Sequence, residues 1–408
     1  MSSPPPQAVV KQSSIQAIVW APPTAAAKPR GLCFDCGISR TVDDKRCGQA
    51  CQFIAPDYPN LEAKVHGRSR DETKPDELFF GPFWRMVRAA LASPSPGAQW
   101  TGITTRIAER LLETGAVEAV LTMAPDPNDA WRPVPVIVTK AEGMQQCRGM
   151  RMDYAPLLAL LEPVAARGHK RIAVIGIPCQ VYALRSIEAE LGLEQLYVVG
   201  TPCSDNTTTE RFHQFLELIS EEPQNINYLE FRADHHVEIR YTDGRVQSDS
   251  VSDAAVIQTA QRFFSDDLPH LCGLHQRVGR YHRGFQGGEG QQWLIVRNER
   301  GEELLNLLGE EVVTEAPGSR GKRFGPVKGF LGNVERAAGG LPLRSMPDWL
   351  RPIVGWLMPK VGPRWLEFAR ARVEMKTIET VLHLRREHAA KSNTWCLRIC
   401  RNWSRRMA

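Results

Sequence analysis

The chain has 408 residues, 42% of them hydrophobic and 24% charged, enough for an ordinary globular core in two or three lobes and against disorder throughout. Its 51 Lys and Arg against 46 Asp and Glu leave a net charge of +5, too mild to point to nucleic acid but open to an acidic protein partner. It has no apolar run of about 18 residues and no signal-peptide pattern at its start, so the reading is of a soluble, cytoplasmic protein.

Residues 1–30 are rich in Pro, Ala, Ser and Gln without periodicity, which predicts a mobile leader. An N-terminal region, 31–96, opens with a cysteine-bearing loop to about Pro56. It continues as a mixed helical stretch around Phe79, Phe80, Phe83 and Trp84, read as a cap on the main core. Between 97 and 310 the signals alternate: helix over 102–113, strands near 118–123 and 135–139, helix near 157–167. The run 171–179 followed by helical 181–191 reads as strand, tight loop and helix, and 196–199 is a second strand. This pattern predicts an α/β fold with α+β additions, built on a central mixed sheet with helices. Segments 228–232, 236–241 and 245–248, with Asp243-Gly244 as a turn, predict an added antiparallel β lobe. The remainder, 311–408, reads as a linker and helical region ending in a helix over 365–386. The aromatic-rich stretch 349–365 within it reads first as core packing and second as a surface for a tetrapyrrole or a membrane.

The sequence contains 10 cysteines, which a reducing compartment would not keep as structural disulfides, so metal or redox chemistry gains weight. Cys33, Cys36, Cys47 and Cys51 fall as CxxC and CxxxC within one short segment. Four soft thiolates so close can surround one compact centre, either an iron–sulfur cluster or zinc. Cys179 and Cys203 stand just past the ends of consecutive strands, where an open α/β sheet binds its ligands. Cys147, Cys396 and Cys400 have no comparable setting and are read as bystanders. The segment from Gln99 to Thr105 begins a helix, whose first backbone N–H groups suit a phosphate.

Seven strings, in order, resemble one family. They are Cys33-Phe-Asp-Cys36-Gly37, Val65-His-Gly-Arg68, Gly97-Ala-Gln-Trp-Thr-Gly-Ile103, Gly176-Ile-Pro-Cys-Gln180, Leu196-Tyr-Val-Val-Gly-Thr-Pro-Cys203, Asp205-Asn206 and Val296-Arg-Asn-Glu-Arg-Gly301. That family joins the β subunit of deazaflavin-reducing hydrogenases to the chlorophyll-pathway reductases, including the 8-vinyl reductases of divinyl chlorophyllide and the 7-hydroxymethyl chlorophyll a reductases. The resemblance implies FAD and two 4Fe–4S clusters, with Cys33, Cys36, Cys47 and Cys51 holding one cluster and Cys179 and Cys203 serving the other. Relatives often read CxxCGxC, whereas Ser39 stands at the third cysteine here and Cys47 is offered instead. The resemblance also makes Gln99, Trp100, Thr101, Gly102 and Thr104 candidate FAD contacts, with Gly176, Gln180 and Asn206 behind them. His66 and Arg68 suit a carboxylate or phosphate but are assigned no chemistry, and no catalytic acid is assigned.

The implied activity is ferredoxin-dependent reduction of a chlorophyllide-type tetrapyrrole, with the 8-vinyl group of divinyl chlorophyllide as first choice. Because a vinyl reduction takes two electrons while ferredoxin and iron–sulfur clusters pass them singly, a flavin is needed between them. The alternatives are a 7-hydroxymethyl chlorophyll a reductase, a deazaflavin oxidoreductase subunit, or an electron-relay or zinc module without catalysis. A homo-oligomer and peripheral membrane association are expected, and no nucleic acid.

The family carries a CxxC followed by Asp-Tyr-Thr-Asn where this chain reads DDLPHLCGLHQRVGRYHRG from Asp266. One reading is genuine divergence with loss of the second cluster. A sharper one is a frameshift. A reverse translation of these residues, shortened by one base in the Leu268 codon, yields DDCRTCVDYTNALADITVG, with cysteines at the positions of Leu268 and Leu271. Cys272 would then be an artefact, and a second shift near 285–287 would restore the frame. Resequencing the source DNA tests this, and an intact frame encoding Leu268 and Leu271 defeats it.

Overall fold

The computed structural model describes residues 18–19, 35–41, 46–52, 57–153, 155–201, 208–231, 236–250 and 291–315. Cys33, Cys203, Asn206, the 266–287 segment and the helix expected over 365–386 lie outside the described residues.

The centre is a five-stranded mixed sheet in the order β1 (Ile18–Val19), β4 (Asp129–Val138), β3 (Ala119–Asp126), β5 (Arg171–Gly176) and β6 (Gln195–Gly200). β3, β5 and β6 run parallel, while β4 is antiparallel to both β3 and β1. Both faces are covered, so its inner strands are apolar on each side. Side chains alternate across a strand, and β3 shows the division. Ala119 and Leu121 join Ile137, Ile172, Val174 and Leu184 in one core, whereas Val120 joins Val138, Ala173, Ile107 and Leu111 in the other. Over the first core lies α6 (Pro178–Ile187), and over the second lie α4 (Ile103–Glu113) and the helix Glu299–Leu308.

The expected α/β core is thus present, with three departures. Ile18 and Val19, within the expected leader, pair with Val138 and Ile137. β4 begins well before 135, because Pro133 and Pro135 sit in register opposite Pro125 and Met123 without ending the strand. Among the described residues this part of β4 is paired on one side, by β3, and a strand edge tolerates residues lacking an N–H. The helical stretch around Phe79 is also shorter than expected: α3 (Pro75–Phe80) stops at Gly81, and β2 (Arg85–Leu91) follows. β2 is the middle of a three-stranded antiparallel sheet between β10 (Gln292–Val296) and β11 (Val312–Glu315).

The added β lobe is as expected. β7 (Ile226–Phe231), β8 (His236–Tyr241) and β9 (Val246–Ser250) form an antiparallel sheet. The amphipathic α7 (Thr209–Ile219), for which no helix was expected, covers it through Phe212, Phe215 and Leu216, joined by Trp131 from β4. The helix Glu299–Leu308, here α8, was likewise unexpected; it is capped by Asn298, whose side chain accepts from the Gly301 N–H. Among the described residues no helix is long and apolar enough to cross a membrane.

Candidate functional site

Cys179 lies in the first turn of α6, immediately after β5 ends at Gly176. The crossover is tight: a Cβ on Gly176 would come within 3.3 Å of both Leu157 Cδ2 and Gln180 Oε1. Gln180 is buried with both ends of its amide engaged. Its Oε1 accepts from the Ile177 N–H at 3.1 Å and its Nε2 donates to the Ala155 carbonyl at 2.9 Å. The expected cofactor contact Gln180 therefore holds the strand-to-helix turn, with its polar atoms directed at backbone.

The other described candidate ligands reach the same face. α1 (Arg46–Ala50), which carries Cys47, packs against α6, and Cys51 follows directly. Cys47 and Cys179 are each only 9% exposed. Cys51 is close enough to Tyr182 of α6 to act on its phenol, which burial pushes upward in pKa before any other influence. Tyr182 also accepts a hydrogen bond from the Asp57 N–H at 2.8 Å and meets the Tyr58 ring at 4.9 Å between centroids.

Cys36 is tied in through backbone: its carbonyl accepts from the Leu158 N–H at 2.9 Å. Gly37 permits that approach. Its φ is +106°, and a Cβ there would stand 2.3 Å from the Ala159 nitrogen. Among the described residues no three Cys, His, Asp or Glu side chains close into a metal-holding group. The soft donors and shared location of Cys36, Cys47, Cys51 and Cys179 fit thiolate ligation of iron–sulfur or zinc.

The expected flavin loop lies on the opposite face. A helix that leads through a short turn into β3 must run antiparallel to it. The N-terminus of α4 thus stands at the carboxyl end of β3, β5 and β6, the edge that α6 starts from. The loop before α4 takes left-handed backbone at Gly97, Trp100 and Gly102. Gly102 is required there, since a Cβ would meet those of Ser95 and Ala98 at 2.9 Å. Thr101 is buried and spends its hydroxyl on the Leu91 N–H at 3.1 Å, whereas Gln99, Trp100 and Thr104 keep partial exposure. Gly102 caps α4 with no side-chain acceptor of its own, leaving the first N–H groups at the positive end of the helix without the usual capping oxygen.

Cys147 stands apart from the other thiols. It packs on the α4 core and donates to the Gly143 carbonyl at 3.8 Å, and burial pushes its pKa up to about 12 despite the opposing charge of Arg151. A thiol held this firmly protonated is an inert packing group.

The His66 and Arg68 motif resolves differently. Arg68 is committed to Glu77, with Nη2 donating to Oε1 at 2.9 Å. His66, at the end of α2 (Tyr58–His66), is held neutral: burial first, then the positive fields of Arg297 and Arg185, lower its pKa to about 4. Arg297 follows β10, and no local pattern in the sequence marks it as a neighbour of His66.

The family comparison agrees with this architecture. Residues 86–162 match the N-terminal model, and residues 169–319 the C-terminal model, of the coenzyme F420 hydrogenase/dehydrogenase beta subunit. An uncharacterised protein of Nostoc sp. is 33% identical over 370 residues, 90% of this chain and 91% of that protein. The chloroplastic 7-hydroxymethyl chlorophyll a reductase of Oryza sativa is 33% identical over 380 residues, 90% of this chain and 80% of that enzyme. A chain of the F420-reducing [NiFe] hydrogenase complex of Methanosarcina barkeri shares the fold with a TM-score of 0.52 at 16% identity, covering 66% of this chain and 96% of that one. The class is that of an oxidoreductase. The chain belongs to the coenzyme F420 hydrogenase/dehydrogenase beta-subunit family.

Proposed function

We propose that the chain is an iron–sulfur flavoprotein that reduces a chlorophyll-type pigment, namely the 8-vinyl group of divinyl chlorophyllide, with electrons from ferredoxin. The observation that carries the pigment class is the 33% identity, over 90% of the chain, to the rice enzyme named for 7-hydroxymethyl chlorophyll a. The same observation favours a second reading, in which 7-hydroxymethyl chlorophyll a is itself the substrate.

In this reading Cys33, Cys36, Cys47 and Cys51 hold one 4Fe–4S cluster, Cys179 and Cys203 contribute to a second, and FAD lies at the start of α4. A bound flavin would supply the conversion between single electrons and a hydride. The N–H groups of residues 103–105 would bind its phosphate, and the Gly97–Gly102 backbone would let the group approach closely. The buried Cys47 and Cys179 would keep their metal-bound sulfurs away from water, and exposure is among the levers that set a cluster's potential.

The test begins with the full chain purified without oxygen, assayed for iron, sulfide, zinc and flavin. Iron, sulfide and flavin together are expected; colourless, iron-free protein overturns the proposal. Incubation with reduced ferredoxin and each pigment then decides the substrate. Conversion of divinyl to monovinyl chlorophyllide is the expected result, and turnover of 7-hydroxymethyl chlorophyll a alone moves the assignment to the second reading.

A further inference from the structure

His66 and Arg297 belong to two resembling strings that neither the proposed cofactors nor the proposed reaction uses. His66 closes α2 one helical turn after Glu62, Arg297 follows β10, and Glu62 and Arg297 stand by the turn from α3 into β2. Gly81 in that turn has φ +73°, and a Cβ on it would lie 3.3 Å from Glu62 Oε1, 3.4 Å from Arg70 Nη2 and 3.5 Å from Arg297 Nη1. Several charged groups therefore converge on one point of the backbone.

Most of these charges cancel in pairs. Arg70 binds Glu62, Nε to Oε1 at 2.8 Å; Arg68 binds Glu77; Arg185 binds Glu188 at 2.7 Å. Arg297 is different. Its Nη1 donates to the carbonyls of Phe80 at 2.7 Å and Pro82 at 3.0 Å, and among the described residues it has no carboxylate within ion-pair distance. Carbonyl dipoles solvate a cation but leave its charge in place, and a crowded, uncompensated cation is costly. His66, on which the Arg297 charge acts, has its Nδ1 buried with no hydrogen-bond partner among the described residues, a second unmet polar demand. Both residues are intermediate in exposure.

We propose that His66 and Arg297 form a receptor for a single oxyanion, a carboxylate or phosphate group, with the guanidinium supplying charge and the neutral imidazole an N–H. Glu62 does not occupy the place, because its carboxylate is spent on Arg70 through Nε and Nη2 and on the Arg70 backbone N–H at 3.0 Å. The neutral histidine suits this role, since it donates one hydrogen bond without adding a second buried charge. In the proposed reaction the source of the oxyanion is the free propionate of a chlorophyllide, which an esterified chlorophyll lacks. That source rests on the proposed function, whereas the receptor does not.

Two measurements on the intact holoprotein test the inference separately. In the first, inorganic phosphate is compared with chloride at equal ionic strength while the melting temperature is read. Phosphate is expected to raise the wild-type melting point above chloride, with the gain lost in Arg297→Gln and His66→Gln and partly kept in Arg297→Lys. An equal gain in wild type and both neutral variants leaves an adventitious ion only and overturns the receptor, as does no gain in the wild type. Arg297→Gln also removes the hydrogen bonds to Phe80 and Pro82, so His66→Gln keeps the test decisive if that variant fails to fold.

In the second, divinyl chlorophyllide and its methyl ester are titrated by fluorescence quenching. The free acid is expected to bind about tenfold more tightly than the ester, the scale of one lost charge-assisted hydrogen bond. The gap should close in His66→Gln and Arg297→Gln at unchanged iron and flavin content. Equal binding of acid and ester overturns the pigment as source and, with a positive first arm, assigns the receptor to a phosphate. If neither pigment binds, the proposed function fails while the phosphate arm still decides the receptor.

Discussion

On one face of the central sheet, α6 lies over Leu121, Ile172 and Val174, with Cys47 in the same core, Cys36 packed against it and Cys179 in the first turn of α6; on the other, α4 and α8 lie over Val120, Ala173 and Val138 with Cys147. Adjacent residues of β3 thus serve opposite faces. The first face gathers thiols from three chain segments beside the first turn of α6. The second seals its thiol in apolar surroundings and presents backbone N–H groups at the start of α4. Cys179 and the start of α4 are thereby brought to one edge of the sheet from opposite sides.

If the cysteine face depends on the close approach of Gly37 to residues 156–159, then Gly37→Ala should be the most damaging small substitution. It meets backbone at 2.3 Å and must also hold φ at +106°. We expect a loss of about 3 kcal/mol or more in denaturant unfolding, together with most of the iron. Gly67→Ala provides the control: its φ is +72° but no heavy atom lies within 4 Å of the added Cβ, so about 1 kcal/mol is expected. Equal costs for the two variants would mean that Gly37 is not a close contact.

A sharper division comes from β3. Leu121→Ala and Val120→Ala both empty fully buried positions, at about 3 and 2 kcal/mol respectively. At temperatures where both variants remain folded, Leu121→Ala should lower the iron content and leave flavin unchanged. Val120→Ala should do the reverse. Parallel losses of iron and flavin in both variants would show that the faces are not independent.

Much of the central architecture was legible because its signals are local. The apolar runs at 171–176 and 196–199, with a helical period between them, read as consecutive strands with Cys179 and Cys203 just past their ends, and β5 and β6 are that pair, running parallel. β2 was not legible. Its sequence, RMVRAAL, follows a helix, carries two arginines and finds its partners only in β10 and β11, far along the chain. The site divides in the same way. Cys179 and the start of α4 follow from strand-to-helix order, whereas the influence of Arg297 on His66 depends on β10 pairing with β2. Gln180 shows the converse limit: its place in a motif suggested a cofactor contact, but the local turn takes both ends of its amide.

On the α4 face, Gly102→Ala should cost about 2 kcal/mol, combining left-handed strain with contact at 2.9 Å to Ser95 and Ala98. It should reduce flavin retention while leaving iron at the wild-type level. Loss of iron with flavin retained would place the flavin elsewhere.

Cys147 gives the smallest effect and the cleanest contrast between the faces. Its thiol is raised from an ordinary value near 9 to about 12 by burial, so the folded protein keeps a proton that the unfolded chain releases in alkali. Below pH 9 both states hold it and stability is unaffected. Between about pH 9 and 12 the unfolded chain binds fewer protons, and stability should fall with a slope on the order of 1 kcal/mol per pH unit from this group. Cys147→Ala should flatten that part of the alkaline slope while leaving iron and flavin contents unchanged. At pH 8 the native thiol should also resist iodoacetamide, because alkylation requires the thiolate. Rapid native-state alkylation of Cys147, or loss of iron in the alanine variant, would place this thiol among the reactive ones and erase the distinction between the two faces.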